Sequence, residues 1–445
     1  MGRLFGTDGV RGVAGTELTA DLARGLGRAA VVVLGRHGRG RPIFVVGRDT
    51  RVSGEWLEDA LVEGIRGAGG DVVIAGVQPT PAVAFLTTEL GASSGVVISA
   101  SHNPAPDNGI KFFARDGLKL SDDLEDEIEA VLDAAPQPPA AELGHTLPLG
   151  DGEARYLQHV VDAAEAPLTG MTVVVDCANG SASGPSPEVL RRLGATVHAI
   201  FASPDGRNIN EGCGALHPEV VAAEVVRLGA DAGVAHDGDA DRALFSDAAG
   251  TVIDGDQVLA ACAIAMRDDG RLPNHTVVTT VMANLGFHRA MTAAGIDVVT
   301  TRVGDRYVAE EMRRMGAMLG GEQSGHVIFA EQATTGDGLL TAVRFLSLAA
   351  RRGVGLAALA GTMQRFPQVI VNVPAAGGRD LDAAPGIRGA VADAERALGD
   401  TGRVVVRASG TEPLVRVMVE AEDEAMARRH ADAIARIVGA ELGAG

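Results

Sequence analysis

Gly95-Val96-Val97-Ile98-Ser99-Ala100-Ser101-His102-Asn103-Pro104 decides how this chain is read. Its first half is a β-branched run too short for a helix, which fits a buried strand. Its second half cannot continue that strand, because Pro104 lacks an N–H and restricts Asn103. Ser101 therefore stands on a turn at the carboxyl end of a strand, where open α/β sheets bind ligands. A serine there is either a turn former or a nucleophile, and a nucleophilic serine needs an activator. No Gly-x-Ser-x-Gly elbow surrounds it, so acyl transfer is disfavoured. Lys111 follows in Asn108-Gly109-Ile110-Lys111, one of only two lysines among 39 basic residues. A lysine can be tuned to release its proton and an arginine cannot. Codon bias toward arginine would also leave a stray lysine, so the neighbouring loops must decide.

Outward from this strand the chain alternates strand-like and helical patterns, as layered α/β folds do. Ile43–Val46 leads through Gly47-Arg48-Asp49-Thr50-Arg51 to an amphipathic helix bearing Leu57, Leu61 and Ile65, then to Asp71–Ile74. Ser121 opens an acidic helix to Leu132. Pro136-Gln137-Pro138-Pro139 marks a first boundary. A second unit starts near Asp151, with strands expected at Thr172–Val175, Thr196–Ile200 and Asp231–Ala235. A third starts near Asp254, with a strand at Val277–Thr280. Phe366-Pro367 precedes a last unit of two strands and helices at Gly386–Leu398 and Glu424–Val438.

The second informative loop is His236-Asp237-Gly238-Asp239-Ala240-Asp241-Arg242. Carboxylates at i, i+2 and i+4 of a loop repel one another unless a cation neutralises them. Oxygen ligands select Mg²⁺ or Ca²⁺, and Mg²⁺ commonly takes few carboxylates and completes its shell with phosphate oxygens. An EF-hand fails, with Arg242 at its sixth position and Ala248 at its twelfth. Gly320-Gly321-Glu322-Gln323-Ser324-Gly325-His326 offers polar groups suited to sugar hydroxyls, although a plain turn reads the same way. Arg407-Ala408-Ser409-Gly410-Thr411-Glu412-Pro413, with Arg416 beyond, suits a phosphate dianion through loop N–H groups, hydroxyls and arginine. A hairpin turn between Val404–Val406 and Val415–Val419 fits it equally.

Composition narrows the partners. A net charge of −19 over 445 residues argues against nucleic acid or an anionic membrane surface. An anionic substrate must then be captured by local arginines. Cys177, Cys213 and Cys262 are few and scattered, as expected of reduced thiols in a cytoplasmic protein. No secretory signal is read at Met1–Phe5, and no apolar run approaches the length of a membrane span. Gly25-Leu26-Gly27-Arg28-Ala29-Ala30 mimics a dinucleotide fingerprint but lies in a helical pattern with no strand before it, and no P-loop occurs. Length sets a prior of about three domains.

Together, in this order and across the whole chain, the four loops resemble the α-D-phosphohexomutase superfamily. Phe5-Gly6-Thr7-Asp8-Gly9-Val10-Arg11-Gly12, the Ser-Ala-Ser-His-Asn-Pro turn and Gln323 are similar to its glucosamine-phosphate branch. The resemblance implies an α/β architecture of three similar mixed α/β domains plus a smaller C-terminal α+β domain around a central cleft, at 1–150, 151–252, 253–366 and 367–445. It implies a phosphoserine at Ser101, one Mg²⁺ on Ser101, Asp237, Asp239 and Asp241, and a hexosamine 1,6-bisphosphate intermediate. It makes Lys111 and His326 acid/base candidates and His102 and Arg11 further catalytic candidates. It assigns Arg242, Glu322, Ser324, Arg407, Ser409, Gly410, Thr411 and Arg416 to the substrate, a small sugar phosphate. A glucose or mannose preference, and a non-catalytic sugar-phosphate-binding protein, are the rival readings. The sequence leaves the oligomeric state open, a homodimer included.

Overall fold

The structure is a computed structural model describing residues 3–6, 8–37, 40–134, 140–375, 384–408 and 414–442. The first unit is a six-stranded mixed sheet. Its strands are β1 (Val10–Val13), β2 (Ile43–Arg48), β3 (Asp71–Val77), β4 (Ser94–Ile98), β5 (Asp107–Ala114) and β6 (Thr146–Leu147), in the order β1-β5-β4-β2-β3-β6. β4 is buried along its whole length, which explains why it reads as a continuous apolar run rather than an alternating one. It pairs antiparallel with β5, and Lys111 stands opposite Val97. The acidic helix runs Asp122–Asp133 and Ser121 caps it, accepting a bond from Leu124 N–H.

The second unit is a five-stranded sheet of β7 (Thr172–Asp176), β8 (Thr196–Ile200), β9 (Ala232–His236), β10 (Ala243–Asp247) and β11 (Val252–Ile253), ordered β11-β10-β9-β7-β8. The third is a four-stranded sheet of β12 (Thr276–Thr280), β13 (Asp297–Thr301), β14 (Leu319–Gly321) and β15 (Val327–Phe329), ordered β13-β12-β14-β15. These two units share one hydrophobic core. The helix Gly338–Arg352 is buried on every side from Gly338 to Ala349 and belongs to that core. Its buried polar side chains are paired there: Thr341 Oγ1 donates to Asp337 O at 2.7 Å and Arg344 Nη2 lies 2.9 Å from Glu165 Oε1. Phe345 on it meets Phe245 of β10 with ring centroids 4.9 Å apart, so Phe345→Ala would cost about 3–5 kcal/mol.

The last unit has three strands, not two: β16 (Gln368–Pro374), β17 (Arg403–Ala408) and β18 (Leu414–Glu420), ordered β16-β18-β17. The strand that the sequence reading lacks is Gln368–Pro374, which forms an edge of the sheet, where its closing Pro374 is tolerated. The unit docks on the third through buried Glu420, which accepts bonds from Asn284 Nδ2 (3.1 Å), Leu285 N–H (3.0 Å) and Arg403 Nε (3.1 Å). Asn284 also grips the connecting peptide, bonding both Phe366 O and Phe366 N–H. Pro136–Pro139, read as a boundary, lies outside the described residues. The glycine pattern at Gly25–Ala30 is inside the helix Ala20–Leu34, as read. All three cysteines are buried and free. Among the described residues no helix is long and apolar enough to cross a membrane.

Candidate active site

Ser101 is built by long-range grips rather than by its turn alone. It sits buried in the left-handed region at φ 52°, a conformation costing a non-glycine residue about 1–3 kcal/mol. Arg51, fully buried, holds it there by donating to the carbonyls of Ser101 (3.0 Å), Asn103 (2.8 Å), Pro104 and Asp107 (3.0 Å). Asp49 fixes the guanidinium at 2.8 Å and accepts the Ser99 hydroxyl at 2.6 Å. Ser99 Oγ in turn accepts the Ser101 N–H at 2.9 Å. From the second unit, Asn210 Nδ2 donates to the carbonyls of Ser101 and Asn103 at 2.9 and 3.0 Å.

The acidic loop is the β9–β10 connection, and it closes on this turn. A Cβ on Gly238 would lie 2.6 Å from Ser101 O, so only glycine permits the approach. Ser101 Oγ donates to Asp237 Oδ2 at 2.6 Å. Carboxylate oxygens of Asp237, Asp239 and Asp241 lie within 4.8 Å of one another, all buried. Lys111 Nζ and Thr80 Oγ1 both donate to Asp239 Oδ2, at 2.8 and 2.7 Å. Asp239 Oδ1 and Asp241 Oδ1 are buried with no hydrogen-bond partner. Two orphaned carboxylate oxygens beside a serine hydroxyl are what a hard divalent cation requires.

The charges follow from these distances. Burial, then Asp241 and Asp239, pushes the Asp237 carboxyl well above its ordinary value; burial and Asp239 raise Asp241. Burial opposes ionisation of Asp239 too, but Lys111 outweighs it and the net shift is downward. For Lys111, burial opposes the charge, and Asp239, Asp241 and Asp8 overcome it and raise the pKa. Lys111 is therefore a fixed ammonium beside the acidic loop. His102 Nδ1 lies 3.3 Å from Ser101 Oγ. Burial, then Arg242 and Arg11, pushes its pKa down to about 4, so it is neutral near pH 7. Arg242 is held charged: burial opposes this, and Asp237, Asp241 and Glu322 prevail.

The Gly-rich loop connects β14 and β15. It is joined to the end of the acidic loop where Ala243 N–H donates to Gly325 O at 3.1 Å. Glu322 Oε1 accepts Gly304 N–H at 3.2 Å, and burial, then Asp305, raises its pKa. The Ser324 hydroxyl is buried without a partner. His326 is buried, with Nε2 3.3 Å from Asp305 Oδ2 and Nδ1 lacking any partner. Arg11 donates to Asp8 at 3.0 Å and contributes to the field at Asp239 and His102. On the last unit, Arg407 and Arg416 stand directly opposite each other on β17 and β18. Burial, then Arg416, lowers the Arg407 pKa, with Glu322 opposing. Ser409, Gly410 and Thr411 lie outside the described residues.

Sequence reading missed Arg51, Asn210, Thr80, Asp8, Asp305 and Lys119. Lys119 carried a usable signal: it is the only other lysine in the chain.

Loops from three units converge around a buried serine and a carboxylate cluster, and Arg407 of the last unit feels the charge of Glu322 on the third of those loops. The class is that of phosphosugar mutases. The chain belongs to the phosphoglucomutase/phosphomannomutase family, whose profiles for α/β/α domains I, II and III match residues 2–138, 154–250 and 254–366, and whose C-terminal domain profile matches 370–437. It is 56% identical to phosphoglucosamine mutase of Rhodococcus jostii (strain RHA1), over 98% of this chain and 99% of that one. It is 53% identical to phosphoglucosamine mutase of Symbiobacterium thermophilum, over 99% of this chain and 100% of that one. A phosphoglucomutase/phosphomannomutase family protein from Burkholderia thailandensis superposes with a TM-score of 0.84 at 27% identity, covering 98% and 97% of the two chains. The fold is shared with Aspergillus fumigatus N-acetylphosphoglucosamine mutase, solved with GlcNAc-6P and magnesium (TM-score 0.70, 18% identity, 98% and 95% covered).

Proposed function

We propose that this enzyme interconverts glucosamine 6-phosphate and glucosamine 1-phosphate through a phosphoserine at Ser101 and a 1,6-bisphosphate. The observation that carries the reading is the Ser101 hydroxyl, 2.6 Å from Asp237 within the carboxylate cluster. The amino-sugar assignment is supported by full-length identity above half to phosphoglucosamine mutases.

In the first half-reaction the sugar O1 bonds to the phosphoserine phosphorus as the bond to Ser101 Oγ breaks; the O1 proton passes to a base, and Ser101 Oγ leaves with a proton. The bisphosphate then reorients within the site. Ser101 Oγ next gives up its proton and bonds to the phosphorus at O6, and O6 leaves with a proton. Asp237, Asp239, Asp241 and the Ser101 side chain would hold Mg²⁺, which would supply positive charge where a loose phosphoryl transition state spreads negative charge. Arg11 and Arg242 orient the phosphoryl oxygens, and neutral His102 abuts the Ser101 oxygen. Glu322 and Ser324 take sugar hydroxyls. Arg407 and Arg416, with Ser409, Gly410 and Thr411, take the phosphate that is not reacting.

For proton transfer the two candidates now differ. The Lys111 ammonium is locked against Asp239, which favours an electrostatic task. His326 keeps a free ring nitrogen, which favours the transfer. The test is initial rates with glucosamine, glucose and mannose 6-phosphates, side by side, with peptide mass spectrometry on the resting enzyme. Phosphate on Ser101 and a kcat/KM highest for glucosamine are expected. Phosphate on Ser99, or a higher kcat/KM for mannose or glucose, overturns the assignment.

A further inference from the structure

The acidic loop leaves β9 and returns on β10, and four of its carbonyls are each pinned by a donor beyond the loop. Gly238 O accepts Ser181 N–H at 2.9 Å, Asp239 O accepts Thr80 N–H at 2.9 Å, and Ala240 O accepts Gly338 N–H at 3.0 Å. The fourth, Arg242 O, is held by a side chain, His236 Nδ1, at 3.0 Å. The ladder between β9 and β10 ends at the pair His236–Ala243, and Ala243 N–H goes to Gly325 O in the third unit. The His236 imidazole therefore closes the mouth of the loop where the ladder has stopped.

Partners on both ring nitrogens fix the tautomer. A carbonyl can only accept, so Nδ1 carries the proton. Nε2 is then the bare nitrogen, and it accepts the Ser186 hydroxyl at 2.8 Å. His236 is fully buried. Burial pushes its pKa down to about 4 against the pull of the Arg242 carbonyl, so the ring is neutral near pH 7. Ser186, buried at the start of the helix Pro185–Arg192, backs the ring from behind. Arg242 is thus gripped on both sides. Its N–H donates to Asp237 Oδ1 at 3.3 Å, and the other oxygen of that carboxylate accepts the Ser101 hydroxyl at 2.6 Å. Its Nε lies 3.8 Å from Asp241 Oδ1. A swing of the Arg242 peptide would disturb two of the three carboxylates and the guanidinium together.

We propose that His236 is a positioning residue that clamps Arg242 O through Nδ1–H and so holds Asp237, Asp241 and the Arg242 guanidinium in the arrangement that takes the cation. The inference rests on the metal-site reading of the acidic loop. Without the imidazole donor, the Arg242 carbonyl loses its partner and the loop opens at its mouth.

The test uses the full-length enzyme. His236→Phe keeps a ring in place and removes both bonds; His236→Asn puts an amide N–H where Nδ1 stood, and His236→Gln puts one where Nε2 stood. His236→Phe and His236→Gln are each expected to lower Mg²⁺ affinity, read by calorimetric titration, and kcat by roughly 10–100-fold. His236→Asn should stay within about threefold of wild type on both measures, although the gap it leaves should make it less stable in denaturant. A histidine that merely filled space would instead show affinity following stability. Wild-type Mg²⁺ affinity in His236→Phe or His236→Gln overturns the proposal, as does an affinity in His236→Asn as weak as in His236→Phe. An Nε2–H pattern for the wild-type imidazole in ¹⁵N spectra, assigned with His236→Asn, is equally fatal. Should His236→Phe fail to fold, the contrast between His236→Asn and His236→Gln decides alone. Wild-type enzyme that takes up no Mg²⁺ would sink the metal-site reading itself. Hydrogen exchange of the segment 237–242, followed without metal, then judges the clamp: exchange should be faster in His236→Gln than in His236→Asn and wild type, and equal rates in all three overturn it.

Discussion

The two ends of the site are constructed on opposite principles. Around Ser101 the geometry is set by many bonds, within the first unit and across to the second: Arg51 and Asn210 hold the serine loop, and Thr80 and Lys111 hold Asp239. The orphans there include carboxylate oxygens of Asp239 and Asp241, placed where a cation would sit. On the last unit the reverse holds. Arg407 and Arg416 are set side by side in register, and like charges directly opposite each other on a sheet are destabilising. The chemical centre is held by these bonds at assembly, whereas on the last unit Arg416 lowers the Arg407 pKa and Glu322 opposes it, a balance that the phosphate of the proposed substrate would shift. The first arrangement spends no reorganisation at the moment of reaction.

The comparison breaks most visibly at Asp239. Asp239→Asn removes one of three charges and leaves the buried Lys111 ammonium short of its counterion. We expect kcat to fall by at least about 10²-fold, since replacing even outer-shell partners of a metal costs on the order of 10–100-fold. Mg²⁺ affinity, measured by calorimetric titration, should fall in parallel, and stability by about 3–5 kcal/mol. Full activity after exhaustive chelation would show that the cluster is not a metal site. Arg407→Ala should behave differently. It removes a charge-assisted phosphate contact of about 1.5–3 kcal/mol, so substrate affinity should drop roughly 10–150-fold. Phosphorylation of Ser101 should survive. Unchanged affinity for the 6-phosphate would reduce the segment to a hairpin.

What could be read in advance divides along the same line. Ser101 and Asp237–Asp241 were legible because each chemical group lies within a few residues of the strand end that presents it. The Pro104 stop and the i, i+2, i+4 spacing are local facts. Arg51, Asn210 and Asp305 were not legible, because their partners are brought in by packing. Arg51 meets Ser101 across 50 positions, Asn210 meets it across 109, and Lys119 meets Asp305 across 186. No periodicity encodes such pairs. The scarcity of lysine marks Lys119 as it marks Lys111. The shared core of the second and third units was equally hidden, since nothing local in Gly338–Arg352 says which sheets it packs between. Arg407 and Arg416 were legible as phosphate-binding types, but their register on β17 and β18 was not.

The smallest effect is the most direct test of that register. Arg407→Gln removes the charge and keeps a polar side chain on β17. In phosphate-free buffer of low ionic strength the variant should be more stable than the wild type, by about 0.2–1 kcal/mol, the range for cross-strand pairs. Raising the salt should shrink the gap, because exposed charges are screened within about 10 Å at 0.1 M. Inorganic phosphate should then reverse the order. A ligand that binds only the folded state stabilises it by RT ln(1 + [L]/Kd), and that gain should be large in the wild type and small in the variant. Denaturant titrations at two salt concentrations, with and without phosphate, give all four comparisons. A variant less stable than the wild type at low salt, or equal phosphate stabilisation in both, would mean that the paired arginines store no repulsion, and the contrast between the two ends of the site would collapse.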